Sequence, residues 1–169
     1  MSGLEWLEAA SYIVTIVGLP LAIGVYVYDR QRDRQSDEEE IFLRLSDEYA
    51  DFMRLVIENA DLHLLSPLVK GTLSEDQLER KHALFAILVS LFERAYVLVY
   101  EENMGRQQAR LWQSWEDYMT EWCQRADFRA ALPALFQGED PGFVATIRRI
   151  AETTAGRTGE REAPKVNED

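Results

Sequence analysis

One long uncharged stretch near the N-terminus differs from the amphipathic pattern that follows it. Residues 9–28 read AASYIVTIVGLPLAIGVYVY, which is twenty positions without a formal charge. As an α-helix, a segment of this length covers about 30 Å, the thickness of the hydrocarbon core of a bilayer. The pattern predicts a single N-terminal transmembrane helix, and a buried core helix is the alternative.

The charges on either side of this stretch predict its orientation. Arg30, Arg32 and Arg34 follow it at once, and no Lys or Arg precedes it. Basic flanks stay on the cytoplasmic side, so we expect a single-pass protein of the plasma (inner) membrane, with its N-terminus outside and its C-terminal domain cytoplasmic. Glu5 and Glu8 stand where a cleaved signal peptide would be basic, which favours a retained anchor.

Small side chains recur along the predicted span. Ser11, Thr15, Gly18 and Ala22 are spaced by four, three and four residues. Such a stripe lets a second helix approach closely, which predicts a homo-oligomer formed through the transmembrane helix. The alternative is that the stripe reflects only the abundance of small residues in membrane helices.

Beyond the anchor, the apolar positions recur at helical spacing. Ile41, Leu45, Tyr49, Phe52 and Val56 form the first such face. The chain is therefore expected to be all-α, with a cytoplasmic helical bundle of about four to five helices after the span. We place the anchor and juxtamembrane segment at 1–35, the bundle at 36–152 and a disordered tail at 153–169, because the tail is polar and lacks aromatic residues.

Cap and breaker residues predict where individual helices begin and end. Ser74 with Gln77 forms a capping box, and Asp140 is an N-cap candidate before a proline. Gly105 is expected to close the second bundle helix, and Gly156 is expected to end the last one.

The helix predicted at 83–100 is apolar on nearly every side, apart from Ser90 and the adjacent charges Glu93 and Arg94. Two charges near its middle disfavour a second membrane span, so a central helix of the bundle is predicted. Glu93 and Arg94 are interpreted as a buried polar pair that needs partners. Those partners are expected on the helix of Arg44 and Arg54 or on the aromatic helix; the alternative is a functional polar site in the bundle core.

A stripe of aromatic residues marks the following helix. Trp112, Trp115, Tyr118 and Trp122 recur at spacings of three, three and four. Large aromatics contribute strongly to the core of a small domain, which favours packing in the interior. They are also enriched at protein interfaces, so an interface is the alternative.

Composition narrows the candidate chemistry. The formal net charge of −12 disfavours nucleic acid as a partner. Glu79 and His82 have the spacing of a bundle-borne metal motif, but no second copy exists, and no catalytic, metal or cofactor site is predicted. Cys123, the lone cysteine, is interpreted as a small buried hydrophobe.

The order of span, acidic amphipathic helix, apolar helix and aromatic segment, including Phe128, Arg129 and Pro133, resembles small bacterial membrane-anchored proteins grouped as families of unknown function. The resemblance covers most of residues 5–152 and implies an anchor with a helical cytoplasmic domain, but supplies no site residues. The leading hypothesis is a non-enzymatic, membrane-tethered interaction or regulatory module that contacts the lipid bilayer and a cytoplasmic protein. Alternatives are an oligomerising membrane effector in a stress or antiviral response and an enzyme with a polar site inside the bundle.

Overall fold

The computed structural model contains two compact units, Met1–Glu40 and Ile41–Asp169. The structure describes the following residues, with side chains up to residue 157: Ile23, Val25, Tyr26, Tyr28, 39–66 and 72–162. In the first unit, the isolated described positions between 23 and 28 are helical and exposed. The rest of the predicted span and its stripe of Ser11, Thr15, Gly18 and Ala22 lie outside the described residues.

The described residues are helical and contain no β-strand, which confirms the all-α bundle. Helix α1 covers 39–58, of which 41–58 belong to the second unit, and a 3-10 turn follows at Ala60–Leu62. The remaining helices are α2 (Glu75–Val99), α3 (Arg106–Cys123), α4 (Ala126–Leu135) and α5 (Pro141–Glu162).

Side-chain caps define the starts of two helices, as the sequence predicts. The Ser74 hydroxyl accepts a hydrogen bond from the Gln77 backbone N–H at 3.2 Å, and the Gln77 side chain accepts from the Ser74 N–H at 2.9 Å. The Asp140 carboxylate accepts from the backbone N–H groups of Gly142 and Phe143 at 2.8 and 2.9 Å. These bonds satisfy donors that the first turn of a helix would otherwise leave unpaired.

The core of the second unit is built from the inner faces of all five helices and the 3-10 turn. Its largest fully buried side chains are Trp115, Phe85, Phe92, Phe128 and Phe143. Edge-to-face contacts connect several of these rings, for example Phe85 with Phe128 at a centroid distance of 5.1 Å. Burial of such large apolar side chains is the main stabilising contribution to the unit.

Among the described residues, α2 is the one helix whose length and composition would allow it to cross a membrane. It nevertheless packs as a core helix, because its inner face, including Leu88, Phe92 and Ala95, is fully buried against other helices. The outer face of α2 remains apolar and exposed, with Ile87, Val97 and Leu98 open to solvent.

Two boundaries differ from the sequence predictions. Helix α2 ends at Val99, and Gly105 is instead the N-cap of α3. Helix α5 continues past Gly156 to Glu162, so the predicted disordered tail is wrong for 153–162. One reason is that Thr154 is buried, so this turn still packs against the rest of the unit, while its hydroxyl is satisfied by the Ile150 carbonyl of the same helix.

Candidate functional site

An open apolar groove runs between α1 and α2. Its volume is about 540 Å³. We call it the α1–α2 groove and define it by its lining residues: Glu48, Asp51, Phe52, Leu55, Ala86, Ile87, Ser90, Leu91 and Arg94. Leu55 and Ile87 leave 38% and 46% of their surface exposed, one on each wall. The groove therefore presents apolar surface that the described part of the unit does not cover.

Ion pairs lie at both ends of this groove. At one end, Arg94 on α2 pairs with Glu48 on α1. At the other, Arg80 on α2 pairs with Asp61 at 2.7 Å and donates to the Asn59 side chain at 2.7 Å. Such exposed pairs contribute little stability individually, and the second of them joins α2 to the 3-10 turn rather than to α1 itself.

The structure separates Glu93 from Arg94. The Arg94 side chain is 51% exposed, so the prediction of a buried pair is wrong for this residue. Helical rotation turns position 94 outward because positions 92 and 95 occupy the inner face of α2. Its partner Glu48 does lie on the helix of Arg44 and Arg54, one of the two locations expected.

Glu93 is half-buried and faces the start of α5. Its carboxylate accepts a hydrogen bond from the Asp140 backbone N–H. The neighbouring Glu139 side chain also bonds to Glu93, and this bond, together with burial and the charge of Glu93, raises the pKa of Glu139 to about 7. When Glu139 is protonated, its carboxyl group can donate to Glu93, which links α2 to the segment just before α5.

Three of the four residues in the aromatic stripe of α3 belong to the core. Trp112, Trp115 and Trp122 are buried, which favours the core interpretation for them. Tyr118 is 37% exposed and stacks on Tyr49 of α1 with ring centroids 4.4 Å apart. The Trp122 indole N–H donates to the Tyr49 hydroxyl at 3.1 Å.

These rings border a second cavity, of about 400 Å³. We call it the aromatic pocket, lined by Tyr49, Met53, Leu64, Leu65, Ser66, Tyr118, Glu121, Trp122, Gln124 and Arg125. It combines aromatic and apolar walls with one carboxylate, Glu121, at its rim.

Arg125 also lines the aromatic pocket, and its side chain makes five hydrogen bonds. Its guanidinium donates to both carboxylate oxygens of Asp127 at 3.0 and 2.8 Å. The same group donates to the carbonyl oxygens of His63, Leu64 and Ser66. Asp127 is shared with Lys81, whose ammonium lies 3.3 Å from it, so Asp127 and the backbone oxygens together hold the two cations.

The thiol and imidazole groups do not assemble into a reactive site. Cys123 is buried as predicted, and burial raises the pKa of its thiol to about 12. His63 and His82 are both exposed. Within residues 39–66 and 72–157, no group of His, Cys, Asp and Glu side chains is arranged to hold a metal ion.

The sequence patterns did not point to most of the residues of these two cavities. Leu55 lies beside the apolar face that predicts α1, and Ile87 belongs to a helix that is apolar on nearly every side, so no pattern marks either as a groove residue. Glu121 stands among other acidic residues without a distinguishing motif. Tyr49 was assigned only to the core face of α1, and the long-range contact with Tyr118 has no local signal.

Comparisons with known proteins provide no functional assignment. No protein-family model, curated protein or solved structure matches the chain.

Proposed function

We propose that the chain is a non-enzymatic, membrane-tethered interaction module whose helical unit receives a partner protein in the α1–α2 groove. The observation that carries this proposal is the exposed apolar surface of Leu55 and Ile87 on opposite walls of an open groove. Exposed apolar patches framed by polar residues are typical of binding surfaces. The tether is the uncharged stretch at 9–28, which would hold the unit at the cytoplasmic face of the plasma membrane.

The occupant that fits this groove is an amphipathic helix with basic side chains along one edge. Two parallel walls with an apolar floor match the helix-in-groove mode of recognition, in which anchors enter at helical spacing. Asp51 is the carboxylate of the α1 wall that a partner cation can reach, because Glu48 is already paired with Arg94. Because the Asp51–Arg54 pair is highly exposed, a partner cation can replace Arg54 at little expense.

The overall charge supports the same partner chemistry. A formal net charge of −12 attracts basic segments and speeds their encounter with the unit. Association of the spans through Ser11, Thr15, Gly18 and Ala22 would present several grooves at one place in the membrane, which raises the effective concentration for a multivalent partner.

A cysteine-protection experiment tests whether the groove is occupied in the cell. The native thiol is buried, so a single added cysteine dominates the reaction with a maleimide. Ser90→Cys places the probe in the groove, and Ala130→Cys on α4 is an exposed control. We expect Ser90→Cys to be protected in native membranes and reactive after purification, with the control reactive in both.

The identity of the occupant is tested by a photocrosslinker attached at the same position. Capture of a protein whose basic amphipathic segment carries the crosslink supports the proposal. Addition of Ile87→Asp should abolish that crosslink, whereas Val97→Asp, an exposed apolar site on α2 outside the groove, should preserve it. Full reactivity of Ser90→Cys in membranes, or a crosslink only to a second copy of the chain, would overturn it.

A further inference from the structure

We propose that the aromatic pocket is a binding site for a small organic ammonium cation. This site lies at the α1–α3 contact and next to the 3-10 turn, and it shares no lining residue with the α1–α2 groove. The inference therefore stands independently of the proposed partner-binding function.

The aromatic walls of the pocket are held in place before any ligand arrives. Tyr49 and Tyr118 stack at 4.4 Å, and the hydrogen bond from the Trp122 indole to the Tyr49 hydroxyl fixes a third ring beside them. Aromatic rings attract cations through their quadrupole, and the attraction grows when the site is partly shielded from water. Met53 adds a polarizable apolar surface suited to alkyl groups.

The charges around the pocket favour a cation over an anion. Glu121 lies on its rim, and no described basic residue forms a salt bridge with it. Arg125 also lines the pocket, but it offers little to an anion: its guanidinium is only 8% exposed and bonds to Asp127, which it shares with Lys81, and to three backbone carbonyl oxygens. Tyr49 and Glu121 line the same pocket. Burial raises the pKa of the Tyr49 hydroxyl, and the negative charge of Glu121 adds to this shift.

The size of the pocket limits the ligand to a small molecule. A volume of about 400 Å³ lies at the lower end of the range for small-molecule sites. An alkylammonium ion with a short apolar body would fill the aromatic and methionine surface while its charge stays near Glu121. An uncharged ligand of the same shape would lack the attraction to Glu121 and should bind more weakly.

The test uses the full chain in neutral detergent micelles, labelled with ¹⁵N at the tryptophan indoles. Choline is the probe, and 3,3-dimethylbutan-1-ol is its uncharged isostere. We expect choline to shift the Trp122 indole resonance in a saturable way, with Trp112 unaffected because it lies outside the pocket lining and its ring contacts are with Tyr96 and Tyr100. Equal shifts with the uncharged isostere, or no saturable shift, would overturn the inference.

Matched variants assign the binding to the pocket. Glu121→Gln should weaken choline binding about fivefold, since one nearby charge is removed. Asp117→Asn removes a carboxylate one turn earlier on α3, outside the lining, and should leave binding unchanged. Tyr118→Leu keeps apolar area but removes a ring, and should abolish the preference for choline over the isostere. If Asp117→Asn weakened choline binding as much as Glu121→Gln, the effect would come from the general surface charge, and the proposed site would be refuted.

Discussion

The hydroxyl of Tyr96 lies where a side chain at Gly142 would begin. A Cβ atom built on Gly142 would stand 2.5 Å from the Tyr96 Oη and 3.1 Å from the Asp140 Oδ1. Gly142 is the second residue of α5, and its N–H donates to Asp140. The absence of a side chain thus lets the capped start of α5 approach α2 closely.

Gly142→Ala is therefore expected to destabilise the helical unit by about 1–3 kcal/mol, because Tyr96 or the start of α5 must shift. Gly156→Ala is the matched control, since nothing lies within 4 Å of its Cβ position in the same helix. That control should raise stability by about 0.5–1 kcal/mol through helix propensity. Chemical denaturation of the full chain in neutral detergent checks both, and equal effects of the two alanines would refute the steric explanation.

The Glu93–Glu139 pair makes stability depend on pH. The folded-state pKa of Glu139 is raised from 4.5 to about 7, so the native state favours its protonated form. The stabilisation is fully present below pH 4.5 and is lost as the pH rises through about 7. Across this window, the free energy of unfolding should contain a component that decreases with increasing pH.

Glu139→Gln isolates this component, because an amide can donate to Glu93 at every pH. Denaturation midpoints measured between pH 4.5 and 8 should decrease less steeply with pH in this variant than in the parent chain. Glu152→Gln, at an exposed position of α5, should reproduce the parent slope. An unchanged slope in Glu139→Gln would show that the carboxyl pair does not share a proton.

Local signals explain which parts of this fold the sequence could predict. The capping box at Ser74 and the N-cap at Asp140 depend on residues within one turn, and both helices begin there. The direction of Arg94 was not predictable in this way, because apolar residues surround α2 on nearly every side and leave its inner face undefined. The end of α5 was also misplaced, since burial of Thr154 depends on neighbours distant in sequence.

The two cavities show why candidate sites were harder to predict than helices. Tyr49 and Trp122 are 73 positions apart, yet they form the hydrogen bond that orders the aromatic pocket. Likewise, the α1–α2 groove is lined by residues distant in sequence, such as Glu48 and Arg94, which lie 46 positions apart and pair across two helices. Periodicity identifies each helix face separately, but it does not determine which faces meet.

Among the ion-paired arginines described above, Arg125 is expected to contribute most to the stability of the helical unit. Arg125→Ala would remove a bidentate pair with Asp127 and three backbone contacts near Leu64, while Asp127 keeps Lys81 as a partner, which predicts a loss of about 1.5–3 kcal/mol. Arg125→Lys should recover only part of it, because an ammonium cannot reproduce the planar fork. Arg54→Ala is the control, with a change within about 0.5 kcal/mol, because both members of its pair are exposed. Thermal unfolding would contradict this assignment if the two alanine variants lost equal stability.

The Cys123 thiol should not react with thiol reagents while the helical unit is folded. Its side chain is buried, and burial raises the thiol pKa to about 12, so very little thiolate exists near neutral pH. Ellman's reagent at pH 8 should therefore react with the full chain only at the rate at which the unit opens, and at once after denaturation. A matched variant, Ala109→Cys at an exposed position of α3, should provide one fast-reacting thiol in the folded state. Rapid modification of the parent chain without denaturant would mean that the α3–α4 region opens readily, and the packing described around Trp122 and Phe128 would then have to be revised.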